Sequence, residues 1–414
     1  MKPLNRIFIV IFIAGFMSVS AAAEELFKVD IHGYISQGYM ISNHNNFLTE
    51  SEKGSFQFNE LGINFSTALT KKVRLGIQFA ARDLGDTGND KVLIDWAYAD
   101  YNWRDWLGIR IGKMKQVVGL YNKTRDMDML RTFILLPQGI YAENYRDAAT
   151  SVKGIGLYGE VPLKLMGNIS YQVLIGTTEI YKDGSTAKAS KVFGPFNVEK
   201  FDVDDLYSGS IIWETPLKGL RLGVTLVDTQ IKIQASLSED LIIPVDFPPY
   251  FLTVAGRGDP VTADFPKLTI YTYSVEYTWK NLVLAAECQI MDQNMIGKIL
   301  DLEPLEISLN SLSYYGSASY RFSDWFELGV YYMEYYKDRD DKKGTRVDPP
   351  YSGYQKDACV CFRFDLNPQW IFKLEGHLID GVALCFPQDN LNARGIVEYD
   401  KKWALFAVKM TFCF

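Results

Sequence analysis

The sequence predicts an all-β chain, a transmembrane antiparallel β-barrel of about sixteen strands, with short periplasmic turns and long extracellular loops. Three observations predict it. The stretch WALFAVKMTFCF, residues 403–414, alternates strictly, with Phe406, Val408, Met410, Phe412 and Phe414 on one face. Leu405, Ala407, Lys409, Thr411 and Cys413 make the opposite, more mixed face. An apolar row running to the last residue is a liability in water and is useful against lipid. Similar alternating stretches recur in pairs along the chain. Their connections alternate between tight turns and long loops, the asymmetry of a barrel that crosses a membrane.

The elements follow in order. Residues 28–41 form the first strand, with Val29, Ile31 and Ile35 on one face. Residues 56–69 follow, with Leu61, Ile63, Phe65 and Leu69 outward, and a tight turn leads into 73–82. Strands 92–103 and 106–115 share the turn at Arg104 and Asp105. The pairs 151–161 with 165–177, 206–214 with 220–233, and 268–279 with 282–291 repeat the pattern. So do 311–322 with 325–337 and 358–366 with 370–380, before the last strand, 402–414. Trp103, Trp106, Trp279, Trp325, Trp370 and Trp403 flank the short turns or the terminal strand and predict an interfacial belt. The longest loops are 116–150, 178–205 and 232–267. The last is rich in proline and reads as a mobile surface loop.

Residues 1–23 read as a cleaved signal peptide, leaving 24–414 as the barrel. Lys2 and Arg6 precede a short apolar run, and Ala21-Ala22-Ala23 offers a cleavage site. That run is shorter than the roughly 20 residues of a spanning helix. Formal net charge is −7 with no basic patch, which argues against nucleic acid as a partner. Five scattered cysteines do not suggest a disulfide framework and read mostly as small wall residues. His32 and His377 fall on strands and are read as facing the lumen rather than binding metal. No hydrolase, zinc-protease or P-loop motif is present.

The stretch LDWAYADYNWRDWLGIRIGKMKQVVGLYNKTRD resembles the sixteen-stranded trimeric porins of bacterial outer membranes. In such proteins a strand, turn and strand lead to a segment like Gly119-Leu120-Tyr121, which opens a loop that folds into the pore. Met410, Phe412 and Phe414 resemble the carboxy-terminal assembly signal of outer-membrane barrels. The phosphate-selective-porin-like branch is a related comparison, although no dense ladder of pore arginines is present. The resemblance implies an outer-membrane channel and a constriction loop at 116–150. It also implies a homotrimer, contact with lipid and lipopolysaccharide, and delivery by the barrel-assembly machinery. It implies no cofactor.

The candidate site follows from the inward rows. Arg74, Arg82, Arg110, Glu60 and Asp95 are expected on the wall, with Arg82 and Arg110 facing Asp95 in a transverse field. Lys123, Arg125, Asp126, Asp128, Arg131, Glu143, Arg146 and Asp147 are expected in the loop as an ion-paired eyelet. Asp126-x-Asp128 lacks the rest of a calcium loop, and no metal or catalytic residue is assigned. The function read from this is passive diffusion of small hydrophilic solutes and ions. A substrate-specific channel for phosphate, another anion or an organic solute is the alternative. An outer-membrane barrel enzyme and a purely structural barrel are further rivals.

Overall fold

The structure, a computed structural model, describes residues 28–85, 87–245 and 250–414. The expected signal peptide, 1–23, lies outside them. The strands are β1 Val29–Ser42, β2 Phe58–Ala68, β3 Val73–Leu84, β4 Leu93–Arg104, β5 Leu107–Lys115, β6 Ser151–Pro162 and β7 Asn168–Thr177. They continue as β8 Phe196–Val203, β9 Leu206–Glu214, β10 Leu220–Leu237, β11 Leu241–Val245, β12 Tyr250–Ala255 and β13 Pro260–Trp279. The rest are β14 Leu282–Ile299, β15 Leu305–Ser323, β16 Phe326–Tyr336, β17 Tyr354–Asp365, β18 Trp370–Gly381 and β19 Lys402–Cys413.

Each wall strand pairs antiparallel with its neighbour, and β19 pairs with β1 to close the ring. β8 and β9 count as one wall strand. Tyr207 pairs with Asp228 and Val203 with Ile231 of β10, so the two segments are collinear around a break at 204–205. This gives a closed sixteen-stranded barrel. The seam is tight: the Gly33 and Phe414 backbones exchange two 3.0 Å hydrogen bonds. A Cβ at Gly33 would stand 2.6 Å from the Phe414 ring, so the close approach needs glycine.

Alternation sorts the faces as expected. Val29, Ile31, Ile35, Leu61, Phe406 and Phe414 are exposed on the outer face, whereas Lys409, Thr411 and Ala407 are buried inside. Among the described residues no helix is long and apolar enough to span a membrane. Trp103, Trp106, Trp279, Trp325 and Trp370 are exposed near the short turns. Trp403 corrects the belt. It starts β19 at the long-loop end, is buried against Phe47, and donates to the Gly381 carbonyl.

Two loop readings are also corrected. Residues 232–267 are not a bare loop: β10 runs on to Leu237, β11 and β12 form a hairpin, and β13 begins at Pro260. Residues 178–205 contain the helix Ser185–Ser190 and β8. β14 and β15 likewise extend past 291 and begin before 311. Together these pieces build a taller wall on one side, with small apolar clusters such as Ile233, Phe265 and Met295.

Candidate functional site

The loop 116–150 folds inside the barrel. It leaves β5 and returns to β6 through the short turns Asn122–Thr124, Asp128–Leu130 and Glu143–Tyr145 and the helical turn Arg146–Ala149. Its backbone is fastened to inward side chains of distant strands. Glu375 of β18 accepts the N–H groups of Ile134 at 2.7 Å and Leu135 at 2.8 Å. Glu287 of β14 accepts the Leu120 N–H at 2.8 Å and the Tyr141 hydroxyl at 2.5 Å. Arg363 donates to the Arg131 carbonyl, and Thr132 donates to Glu327. A buried loop must satisfy its own polar backbone, and here the wall does it. Gly119 permits the entry. It has φ 55°, and a Cβ would meet the Tyr141 hydroxyl at 2.5 Å and Glu287 at 2.6 Å.

The loop charges divide into compact clusters. Asp128 lies 3.1 Å from Lys373 and 3.5 Å from Lys409, both ammonium groups being fully buried, and it accepts from Thr411 at 2.9 Å. Arg131 approaches it at 3.6 Å. Burial pushes the Asp128 carboxyl up, but Lys373, Lys409 and Arg131 outweigh this and hold it well below the usual carboxylate range. Glu143 meets Arg82 at 2.5 Å, Arg125 at 2.8 Å and Arg146 at 3.0 Å. Burial opposes its charge too, and the three guanidinium groups hold its carboxyl far down. Arg146 also binds Glu60 at 2.9 Å and pairs with Asp126, which Lys115 pairs from the wall. The result for Asp126 is the same: burial is outweighed by Lys115 and Arg146, and the carboxyl stays ionised. Glu60 is shared with Lys409 at 2.6 Å.

Most expected residues therefore meet, with three corrections. Arg82 and Arg110 do not face Asp95. Lys115 takes Asp95 at 2.7 Å, helped by a Gln78 hydrogen bond where the β3–β4 register shifts. Arg82 is drawn to Glu143, and Arg110 lies 3.1 Å from Asp100 with its guanidinium 4.1 Å from the Tyr158 ring centre. Asp147 is not part of the eyelet: its carboxylate accepts from Ser185 and the Thr186 N–H at 3.0 Å, capping the helix in the next loop. Lys123 is exposed, within electrostatic reach of Arg110 and without an ion pair among the described residues. Sequence reasoning passed over Lys115 and Tyr141. Lys115 ends a strand and Tyr141 sits in an apolar stretch, so neither stood out.

One side of the lumen stays open. Trp96, Tyr98, Arg110 and Tyr158 on β4 to β6 lie on inward rows and are partly exposed. Arg74, Asp100 and Arg110 pair across β3, β4 and β5 in one row. Above, a cavity of about 330 Å³ is lined by Arg82, Asp126 and Arg146 with Lys91, Tyr181 and Asp183 of the outer loops. The arrangement offers a partly obstructed, charged aqueous path.

The fold, a closed sixteen-stranded antiparallel barrel, is similar to that of solved porins and other outer-membrane proteins. A Salmonella typhi OmpF in complex with daunomycin is similar over 94% of this chain and 99% of its own, with TM-score 0.56 and 14% identity. An anion-selective porin from Comamonas acidovorans is similar over 94% and 100%, with TM-score 0.53 and 12% identity. A trimer form of in-vitro folded OmpT from Vibrio cholerae covers 94% and 100%, with TM-score 0.50 and 11% identity. At such identities the likeness concerns the fold alone. No family model matches the sequence, and no curated protein does.

Proposed function

We propose that the chain is an outer-membrane channel through which small hydrophilic solutes and ions diffuse passively beside the loop 116–150. The observation that carries this reading is the loop itself, which crosses a sixteen-stranded lumen and ion-pairs with Arg82, Glu60, Lys115, Lys373 and Lys409 of the wall. A barrel of this strand number is wide enough for water, and the inward loop narrows it, in part by packing Phe133, Leu135 and Tyr141 into an apolar core with Tyr331 and Met333 of the wall. Along the open side Arg74, Arg110 and Lys123 stand against Asp100 and the exposed Glu160 of the inward β6 row, a small excess of cations that favours anions. One of the structures similar in fold is called an anion-selective porin.

The rest of the reading follows from the same barrel. Residues 1–23 direct export, the exposed outer rows meet lipid and lipopolysaccharide, and Met410, Phe412 and Phe414 serve recognition by the assembly machinery. Three copies assemble, as in the trimer form of the Vibrio cholerae protein. Reversal potentials across planar bilayers in a salt gradient test the channel and its sign together. The expected result is discrete conductance with anion preference. Folded protein that conducts nothing would overturn it.

A further inference from the structure

A second cluster lies behind the loop and outside the path. Cys359 on β17 and His377 on β18 pair directly across the sheet, as do Cys361 and Glu375. All four point inward and are buried. The Cys359 thiol, a Glu375 oxygen and a His377 ring nitrogen lie within 4.8 Å of one another. His377 Nδ1 stands 3.1 Å from both oxygens of Asp357, so Nδ1 carries a proton and donates it there. Nε2 then faces Glu375 Oε1 at 3.1 Å. Two lone pairs cannot sit at that distance without a cation between them, either a second proton or a metal ion. The ion pairs of Asp357 and Glu375 among the described residues are with His377 alone. Two buried carboxylates therefore share one imidazole, with a thiol alongside.

We propose that Cys359, Glu375 and His377 form a site for a borderline-soft divalent transition metal, zinc being the fitting ion. Three features fit the metal in the place of the proton. Thiolate, imidazole and carboxylate are zinc's usual ligand types. Nitrogen and oxygen ligands at about 2.0 Å from one zinc would span about 3.1–3.4 Å, which the Nε2 to Oε1 distance meets. Asp357 holds the far ring nitrogen, as an orienting carboxylate does behind a metal-bound histidine. Cys361 stands aside, its thiol donating to the Thr132 carbonyl at 3.2 Å. On binding, the metal takes the place of the Nε2 proton and of the Cys359 thiol proton, and both protons leave to solvent. Because Glu375 also accepts the Ile134 and Leu135 N–H groups, the ion would fasten the loop to β18.

The test is titration of the folded, chelator-treated barrel in detergent with Co²⁺ alone, followed by displacement with Zn²⁺. The expected result is one equivalent per chain, with a thiolate-to-cobalt charge-transfer band and the intense visible bands of a tetrahedral ion whose fourth ligand is water. Cys359→Ser should abolish the charge-transfer band, Asp357→Asn should weaken binding about 10- to 100-fold, and Cys361→Ser should change neither. If Cys359→Ser fails to fold, alkylation of the wild-type thiols read by peptide mass spectrometry decides instead. Protection of Cys359 by saturating Zn²⁺ supports the site. No stoichiometric uptake, no zinc-dependent protection of Cys359, or a cobalt spectrum indifferent to Cys359→Ser would overturn it and leave the cluster a protonated bridge.

Discussion

Asp128→Asn is the sharpest perturbation of the loop. The native carboxylate faces two fully buried ammonium groups, Lys373 at 3.1 Å and Lys409 at 3.5 Å, and Arg131 at 3.6 Å. Removing one partner of a buried ion pair costs about 3–5 kcal/mol, because the remaining charge stays desolvated. Two groups soften the loss here. Lys409 keeps Glu60 at 2.6 Å, and Lys373 keeps the carbonyls of Asp128 and Arg131 at 2.8 Å. The lower end, about 3 kcal/mol, is therefore expected, a change of roughly a hundredfold in the docked-to-undocked ratio of the loop. The wall strands keep their own ladders, so the barrel should stay folded while the loop loosens. Two assays read this: single-channel conductance in planar bilayers, and limited proteolysis within 116–150. Larger, noisier conductance and new cleavage are expected. Conductance and protection equal to the wild type would refute the reasoning that this cluster holds the loop.

Other outcomes follow from the same geometry. Lys123→Glu, on the exposed loop cation near Arg110, should move the reversal potential toward cations without altering barrel stability. Gly33→Val should destabilise the seam by about 1–3 kcal/mol through overpacking against Phe414, read as a lower unfolding temperature on heated gels. Asp126, Asp128 and Glu143 have carboxyls held below their unfolded values, so their stabilisation is present above about pH 4 and is lost as pH falls through the folded values. Proteolytic protection of the loop should thus be flat from about pH 8 to 5 and fail only well below about pH 4.

Much of the wall was legible because lipid and water impose a two-residue period on each strand. The alternation from Phe406 to Phe414, with Lys409 and Thr411 inward, needed no tertiary information. The same rule is silent where no lipid is present. The upper part of β14, 291–299, leaves the alternation behind, and the prolines around 244–266 concealed a hairpin and a strand start. The proline at 260 sits at the first position of β13, where its missing N–H does least harm. The loop's charged members were legible as a group, but their partners were not. Asp147 and Asp126 look alike in sequence, yet one caps a helix in the next loop and the other joins Lys115 and Arg146. Trp403 shows the converse, since its place in a strand does not reveal which end of the barrel that strand begins at.

The most direct measurement is the current–voltage relation of single folded channels under a tenfold salt gradient. Discrete openings are expected, with a reversal potential displaced toward the anion equilibrium value and reduced by Lys123→Glu. Silent bilayers from protein shown to be folded, or openings with a cation-directed potential that Lys123→Glu leaves unchanged, would contradict that expectation.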